Sequence, residues 1–271
     1  ATFLAITVLV VLSMSITLTR AEESMDKMWG DSRVKAGVEK TDRVALFRDG
    51  NYGMFIHFGM STFIADEYGT GKEVSTTYAP TSLDVEQWIR VARDAGMKYA
   101  VLTAKHHDGF CLWPSKFTEH SVKHSPWKQG QGDMVREFAD ACRKHGLKLG
   151  FYYSQAQDWH EPNGAGNNWD FPPNDKKDFD QYLRDKAEPQ VRELLTGYGP
   201  VALIWFDTPQ LMTAERSRRF TDLVRSLQPN TLIDGRLGAA GAGNGRWGGP
   251  AGPDGSPAGR SPNQTEVRPR V

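Results

Sequence analysis

The sequence predicts an α/β fold on a parallel sheet. Three observations carry this: short apolar runs alternate with longer amphipathic stretches, several runs are apolar throughout, and each ends in polar residues suited to chemistry. Strands buried on both faces and interleaved with helices imply a parallel sheet with right-handed crossovers. The 271 residues make one large domain or two small ones, big enough to bury a core without staples.

Residues 52–59 (YGMFIHFG) form the first apolar run, opened by Asp49-Gly50. Residues 84–95 carry Val85, Trp88, Ile89 and Ala92 at the i, i+3, i+4, i+7 spacing of an amphipathic helix, and Gly96 is placed to end it. Residues 99–105 (YAVLTAK) are the second strand. Residues 133–145 are a helix with Met134, Phe138 and Ala141 on one face, closed by Gly146. The third strand is 148–154 (KLGFYYS). A helical stretch over 178–196 offers Leu183, Val191, Leu194 and Leu195 to the core, and Pro189 inside it is expected to break or kink it. Strand 201–207 (VALIWFD), helix 213–227 and strand 231–236 (TLIDGR) complete five units.

The runs and their spacing suit an open doubly wound sheet and a barrel equally. The polar strand ends favour a barrel. His57 ends the first strand, His106, His107 and Asp108 the second, Tyr153 and Ser154 the third, Asp207 the fourth and Arg236 the fifth. In a parallel fold these ends share one face, where ligands bind. Five successive strands converging on one point describe a closing barrel, whereas an open sheet concentrates its site at one switch point.

Several functions are excluded. Thirty-three basic and 33 acidic side chains leave no positive excess for non-specific nucleic-acid binding. No glycine-rich loop follows the first strand, which argues against a dinucleotide or nucleoside triphosphate, and no cofactor is expected. Cys111 and Cys142 are too few for a disulfide framework and fall at opposite ends of an α/β layer, so both are expected as buried free thiols. Adjacent strand residues point to opposite sides, so His106 and His107 are not expected to ligate one metal, and Lys105 beside them would repel a cation. His120, His124 and His145 are read as surface or packing residues.

Asp207 follows four apolar residues, Leu203-Ile204-Trp205-Phe206, where an unpaired carboxylate is costly. Trp205, two residues earlier, points to the same side, and an aromatic face beside a carboxylate suits a sugar ring. Histidines opposite would hydrogen-bond hydroxyl groups. These are the needs of glycoside hydrolysis, in which one carboxylate attacks the anomeric carbon and a second carboxyl protonates the leaving oxygen.

The strings YGMFIHFGMSTF, DEYGTGKE, TAKHHDGFCLWPSKFTEHSV, LGFYYSQAQDWHEP and ALIWFD, in this order over residues 49–237, resemble the α-L-fucosidases of glycoside hydrolase family 29. The resemblance implies a (β/α)8-like, TIM-type barrel, of which about five βα units are present, and a retaining exo-hydrolase for α-linked fucose in oligosaccharides or glycoconjugates. It implies Asp207 as nucleophile, His57, His106 and His107 as hydroxyl-binding groups, and Trp205 as the ring-side aromatic. Glu67 and Tyr68 match the acidic-aromatic pair of the first loop, where the family more often has Glu-Trp, and Tyr153 and Arg236 are further matches. Two rival readings use the same residues: a metal-dependent hydrolase with His57, His106, His107 and Asp207 as ligands, and a non-catalytic sugar-binding protein.

The ends are read separately. Residues 1–21 open on an uncharged apolar stretch and read as a signal peptide, implying a secreted or periplasmic protein (or a lysosomal one) with no stable membrane association after cleavage. Residues 22–48 are a lead-in and 49–237 the partial catalytic domain. Residues 238–271, with nine glycines and five prolines, read as a disordered tail. In the family the general acid/base lies well beyond the nucleophile and a β-sandwich follows the barrel. Here Glu266 is the only glutamate of the tail, so the tail is expected to be a reading-frame slip or broken gene model, and the chain as given to be unstable and to have little activity.

Overall fold

The computed structural model describes residue 48 and residues 50–238, apart from 65, 67 and 169. The expected signal peptide and Gly/Pro-rich tail lie outside the described residues. Five parallel strands, β1 (Gly53–Ile56), β2 (Tyr99–Lys105), β3 (Lys148–Tyr153), β4 (Leu203–Phe206) and β5 (Leu232–Ile233), pair in chain order. Helices α1 (Val85–Asp94) and α2 (Met134–His145) follow β1 and β2, and α5 (Ala214–Leu227) follows β4.

The crossover after β3 is composite: α3 (Phe179–Tyr182), a π-helical turn (Leu183–Ala187) and α4 (Glu188–Gly197). Pro189 does not break it. Proline has no N–H for the carbonyl four residues back, and the wider π turn just before it takes up the mismatch. Leu183, Val191, Leu194 and Leu195 are all buried, as the apolar spacing required.

Helices α1 and α2 start and stop where their chemistry dictates. Asp84 and Asp133 accept the backbone N–H groups of Gln87 and Arg136 at 2.9 and 2.8 Å. Both end in a Schellman arrangement: Met97 N–H reaches Ala92 O and Leu147 N–H reaches Cys142 O, each at 3.0 Å. That closure needs a left-handed residue, supplied by Gly96 (φ 83°) and Gly146 (φ 73°). Val85, Ile89 and Ala92 on α1, and Met134, Phe138 and Ala141 on α2, are buried. Each large side chain among them contributes about 1.5–3 kcal/mol of burial. Cys111 and Cys142 are buried free thiols.

β1 and β5 are shorter than the apolar runs that contain them, and they are the two edges of the sheet. β2 and β3 lie between neighbours and are buried on both faces. The barrel is not closed among the described residues, but the sheet is curled. β1 and β4 are separated by two strands, which in a flat sheet is about 14 Å at the usual spacing of just under 5 Å. Yet the rings of Phe55 on β1 and Trp205 on β4 meet edge-to-face at 5.6 Å, and Phe55 meets Tyr152 on β3 at 5.9 Å. Only a concave sheet, its inner side chains converging as in a barrel, brings them together.

Candidate active site

The C-terminal ends of the strands enclose a cleft of about 410 Å³, reached by residues following or ending all five strands: His57, His106 and His107, Tyr152, Trp205 and Asp207, and Arg236. The register explains part of this set. Thr103, Tyr152 and Trp205 are laterally paired across β2, β3 and β4, so all three project to the same side.

Asp207 leaves β4 on the side of Trp205, as expected, and its carboxylate is held from three directions. Oδ1 accepts from Thr208 N–H at 2.8 Å and from Arg236 Nε, and Oδ2 accepts from the Tyr152 hydroxyl at 3.0 Å. Thr208 reaches back because it is left-handed (φ 42°), a conformation a β-branched residue rarely adopts and one that costs about 1–3 kcal/mol. Behind the carboxylate, the fully buried Gln155 amide accepts from Asp207 N–H at 2.9 Å and donates to Arg236 O and Leu237 O at 3.2 and 3.3 Å. Asp234 joins the same strand ends, accepting from Phe206 N–H at 2.8 Å and Arg236 N–H at 3.1 Å, and burial raises its carboxyl to about 6.

The histidines form the opposite wall. His57 and His106 lie 4.6 Å apart by ring centroid, and His106 stacks on His107 at 4.3 Å. Both members of the adjacent pair face the cleft, which corrects the expectation that they diverge. β2 ends at Lys105 after a register irregularity beyond Thr103, so strand alternation no longer governs residues 106 and 107. Their rings stack rather than converge, and among the described residues no group of three or more His, Cys, Asp or Glu is arranged to hold a metal ion. Burial, aided by His107 and His57, holds His106 down at about 2, and burial holds His107 at about 4 although Asp207 pulls the other way. Both rings are therefore neutral at physiological pH. His106 Nδ1 is buried without a hydrogen-bond partner among the described residues.

Tyr68 stacks over His106 at 6.0 Å from the first loop. Glu67 lies outside the described residues. Tyr153 is not in the cleft: it is fully buried on the other face of β3, where its hydroxyl donates to Gln190 at 2.8 Å. The β3 tyrosine of the site is its neighbour Tyr152, which the sequence reading missed; its partner across the strands, Trp205, is the signal that would have found it. Lys105 also faces outward, donating to Asp158 at 2.9 Å and the Tyr182 hydroxyl at 3.0 Å. Asp108 makes the turn after the pair, accepting Phe110 N–H at 2.7 Å while Gly109 N–H returns to His106 O at 3.1 Å. His120 packs in the interior against His160 at 4.0 Å, whereas His124 pairs with Glu119 and His145 with Glu86.

The profile described as Alpha-L-fucosidase matches residues 64–250. The chain belongs to the α-L-fucosidase family. Alpha-L-fucosidase 1 of Arabidopsis thaliana is 40% identical over 188 residues, 68% of this chain and 34% of that protein. Human tissue alpha-L-fucosidase is 27% identical over 194 residues, 60% of this chain and 39% of that protein. This chain thus spans between a third and two fifths of these curated relatives. Among solved structures, Lactobacillus casei alpha-L-fucosidase AlfC in complex with α-L-fucose product superposes with a TM-score of 0.68 at 37% identity, covering 74% of this chain and 73% of that one. A putative alpha-L-fucosidase from Bacteroides thetaiotaomicron gives 0.63 at 37%, covering 73% and 41%. The five-stranded parallel sheet is therefore the α/β, TIM-like fold of the fucosidase catalytic domain.

Proposed function

We propose that this protein is a catalytic portion of a retaining exo-α-L-fucosidase acting on fucosylated oligosaccharides or glycoconjugates. The observation that carries the reading is the Asp207 carboxylate, fixed by Thr208 N–H, Arg236 and Tyr152 at a strand end and facing an aromatic ring and three histidines. Three donors hold it aimed, which is what a nucleophile at an anomeric carbon needs. Trp205 offers an apolar face to the deoxy side of the sugar, and His57, His106 and His107 are partners for its hydroxyls. Asp207 forms a glycosyl ester with inversion at the anomeric carbon as the aglycone leaves with its oxygen and takes up a proton. Water, giving up a proton, then cleaves the ester with a second inversion and frees the Asp207 carboxylate.

The test uses α-L-fucosyl fluoride, whose leaving group needs no acid. Hydrolysis with retention is expected. Asp207→Gly abolishes it, and azide restores turnover and yields the β-fucosyl azide. Fluoride release by Asp207→Gly at the unaltered rate would remove Asp207 from the chemistry.

Among the described residues lining the cleft, Asp207 is the only carboxylate, which favours a second reading, a fucose-binding chain without turnover. Calorimetric binding of L-fucose without fluoride release would establish it. We also propose export, on the uncharged apolar stretch in residues 1–21: a mature N-terminus at Glu22 is the expected result of sequencing the secreted product.

A further inference from the structure

Behind His107 lies a set of hydrogen bonds that the hydrolytic scheme does not use. His107 Nδ1 is 2.7 Å from the Ser154 hydroxyl, and that hydroxyl is 2.8 Å from the backbone carbonyl of Gln157. A carbonyl only accepts, so the single proton of Ser154 is committed to it. The Ser154 oxygen is left to accept from His107, which places the imidazole proton on Nδ1 and a lone pair on Nε2. A second route reaches the same ring. The indole Nε1–H of Trp159 only donates, and it lies 3.1 Å from Gln157 Oε1, so the Gln157 amide is oriented with its NH2 towards His107 Nε2, at 3.5 Å. An NH2 group there again demands an unprotonated Nε2. Ser154 is fully buried and Gln157 nearly so, and no described contact reverses either polarity.

We infer that Ser154 and Gln157 are positioning residues that lock His107 as the Nδ1–H tautomer, so that its Nε2 meets the substrate as a hydrogen-bond acceptor. Nε2 stands 3.9 Å from Asp207 Oδ2, and both atoms are acceptors. The wall between the histidines and the carboxylate therefore selects a ligand group that brings its own proton, a hydroxyl rather than an ether or a carbonyl. The lock also keeps His107 from donating to Asp207. The other tautomer would place Nε2–H towards the carboxylate and draw off the charge that attacks the sugar. The tautomer assignment stands on the geometry alone; the identity of the hydroxyl donor as a sugar rests on the proposed function.

Imidazole-15N-labelled chain, read by long-range 1H–15N correlation at neutral pH without ligand, tests the lock. His107, assigned by its absence in His107→Asn, is expected to show the Nδ1–H pattern. In Ser154→Ala, where Gln157 alone still holds the ring, the Nε2–H form gains population while the His120 and His160 resonances stay in place, and in Ser154→Thr the pattern is unchanged. Gln157→Glu, which offers a carboxylate to Nε2, is expected to give a doubly protonated ring, and it carries the decision if Ser154→Ala does not fold. An Nε2–H pattern in the unaltered chain, or an unchanged tautomer in both Ser154→Ala and Gln157→Glu, would overturn the inference. Calorimetry with L-fucose and its monodeoxyfluoro derivatives reads the consequence: one derivative, having lost the donating hydroxyl, binds about tenfold more weakly, and Ser154→Ala shrinks that penalty. No binding of any of these sugars would defeat the fucose reading and leave the tautomer result standing.

Discussion

The ends of β2 and β3 carry two polar clusters on opposite faces. On the outer face Lys105, Asp158, Lys186, Tyr153, Tyr182 and Gln190 are shut away from solvent, and their polar groups, Asp158 Oδ1 apart, are spent on one another. Lys105 and Lys186 share Asp158, at 2.9 and 3.0 Å, and Gln190 accepts from Tyr153 and donates to Ser115 at 3.1 Å. On the inner face His57, His106, His107, Tyr152 and Asp207 keep capacity in hand: His106 Nδ1 has no partner among the described residues, and His107 Nε2 faces a second acceptor. Polarity at a strand end does not mark a site by itself. Polarity left unsatisfied towards a cavity does.

The outer cluster is expected to carry stability and the inner one ligand binding, and substitutions in each should separate the two. Lys105→Ala should have the largest effect. It leaves Asp158 buried with half its compensation, for a loss of about 3–5 kcal/mol in urea unfolding. Equal loss from an exposed lysine such as Lys116 would erase the contrast. The same cluster should sensitise the fold to acid. Burial alone would raise Asp158, but the two lysines pull it far below the usual carboxylate range. A group whose folded pKa is depressed stabilises above its unfolded value and loses that contribution as pH falls, so unfolding free energy should drop steeply below about pH 4. Asp158→Asn should flatten that drop.

A smaller effect separates two neighbouring tyrosines. Tyr153→Phe leaves Gln190 short of a donor and is expected to cost about 1–2 kcal/mol of stability with the cleft unaltered. Tyr152→Phe removes one donor from Asp207 and is expected to slow fluoride hydrolysis about tenfold with little change in stability. Reversal of this pattern would put Tyr153 back in the site. The smallest effect concerns the histidines. His107 is held at about 4 and His106 lower still, so neither should titrate between pH 5 and 8 by NMR. The unfolded chain takes up their protons near 6.5, so stability should rise with pH between about 4 and 6.5.

The order of elements, both Schellman glycines and the buried faces of the helices were legible because each is a local matter of period and capping. Asp207, Trp205, His57, His106, His107 and Arg236 were legible as strand ends, since a parallel sheet gathers such ends on one face. Tyr153 was misplaced for a non-local reason. Facing depends on lateral register, and only the pairing of Tyr152 with Trp205 shows which tyrosine of the doublet looks inward. The divergence expected of His106 and His107 failed because β2 had already ended. Ser154 was legible as a strand end, but its role, like those of Gln155 and Gln157, runs through partners about fifty residues away, beyond the reach of any local pattern.

Covalent capture shows whether Asp207 receives the sugar. Incubation with 2-deoxy-2-fluoro-α-L-fucosyl fluoride, whose fluorine slows the release of the ester, followed by proteolysis and mass spectrometry, should find a single fluorofucosyl adduct on Asp207. An adduct on a different carboxylate, with Asp207 unmodified, would take the nucleophile's role away from Asp207.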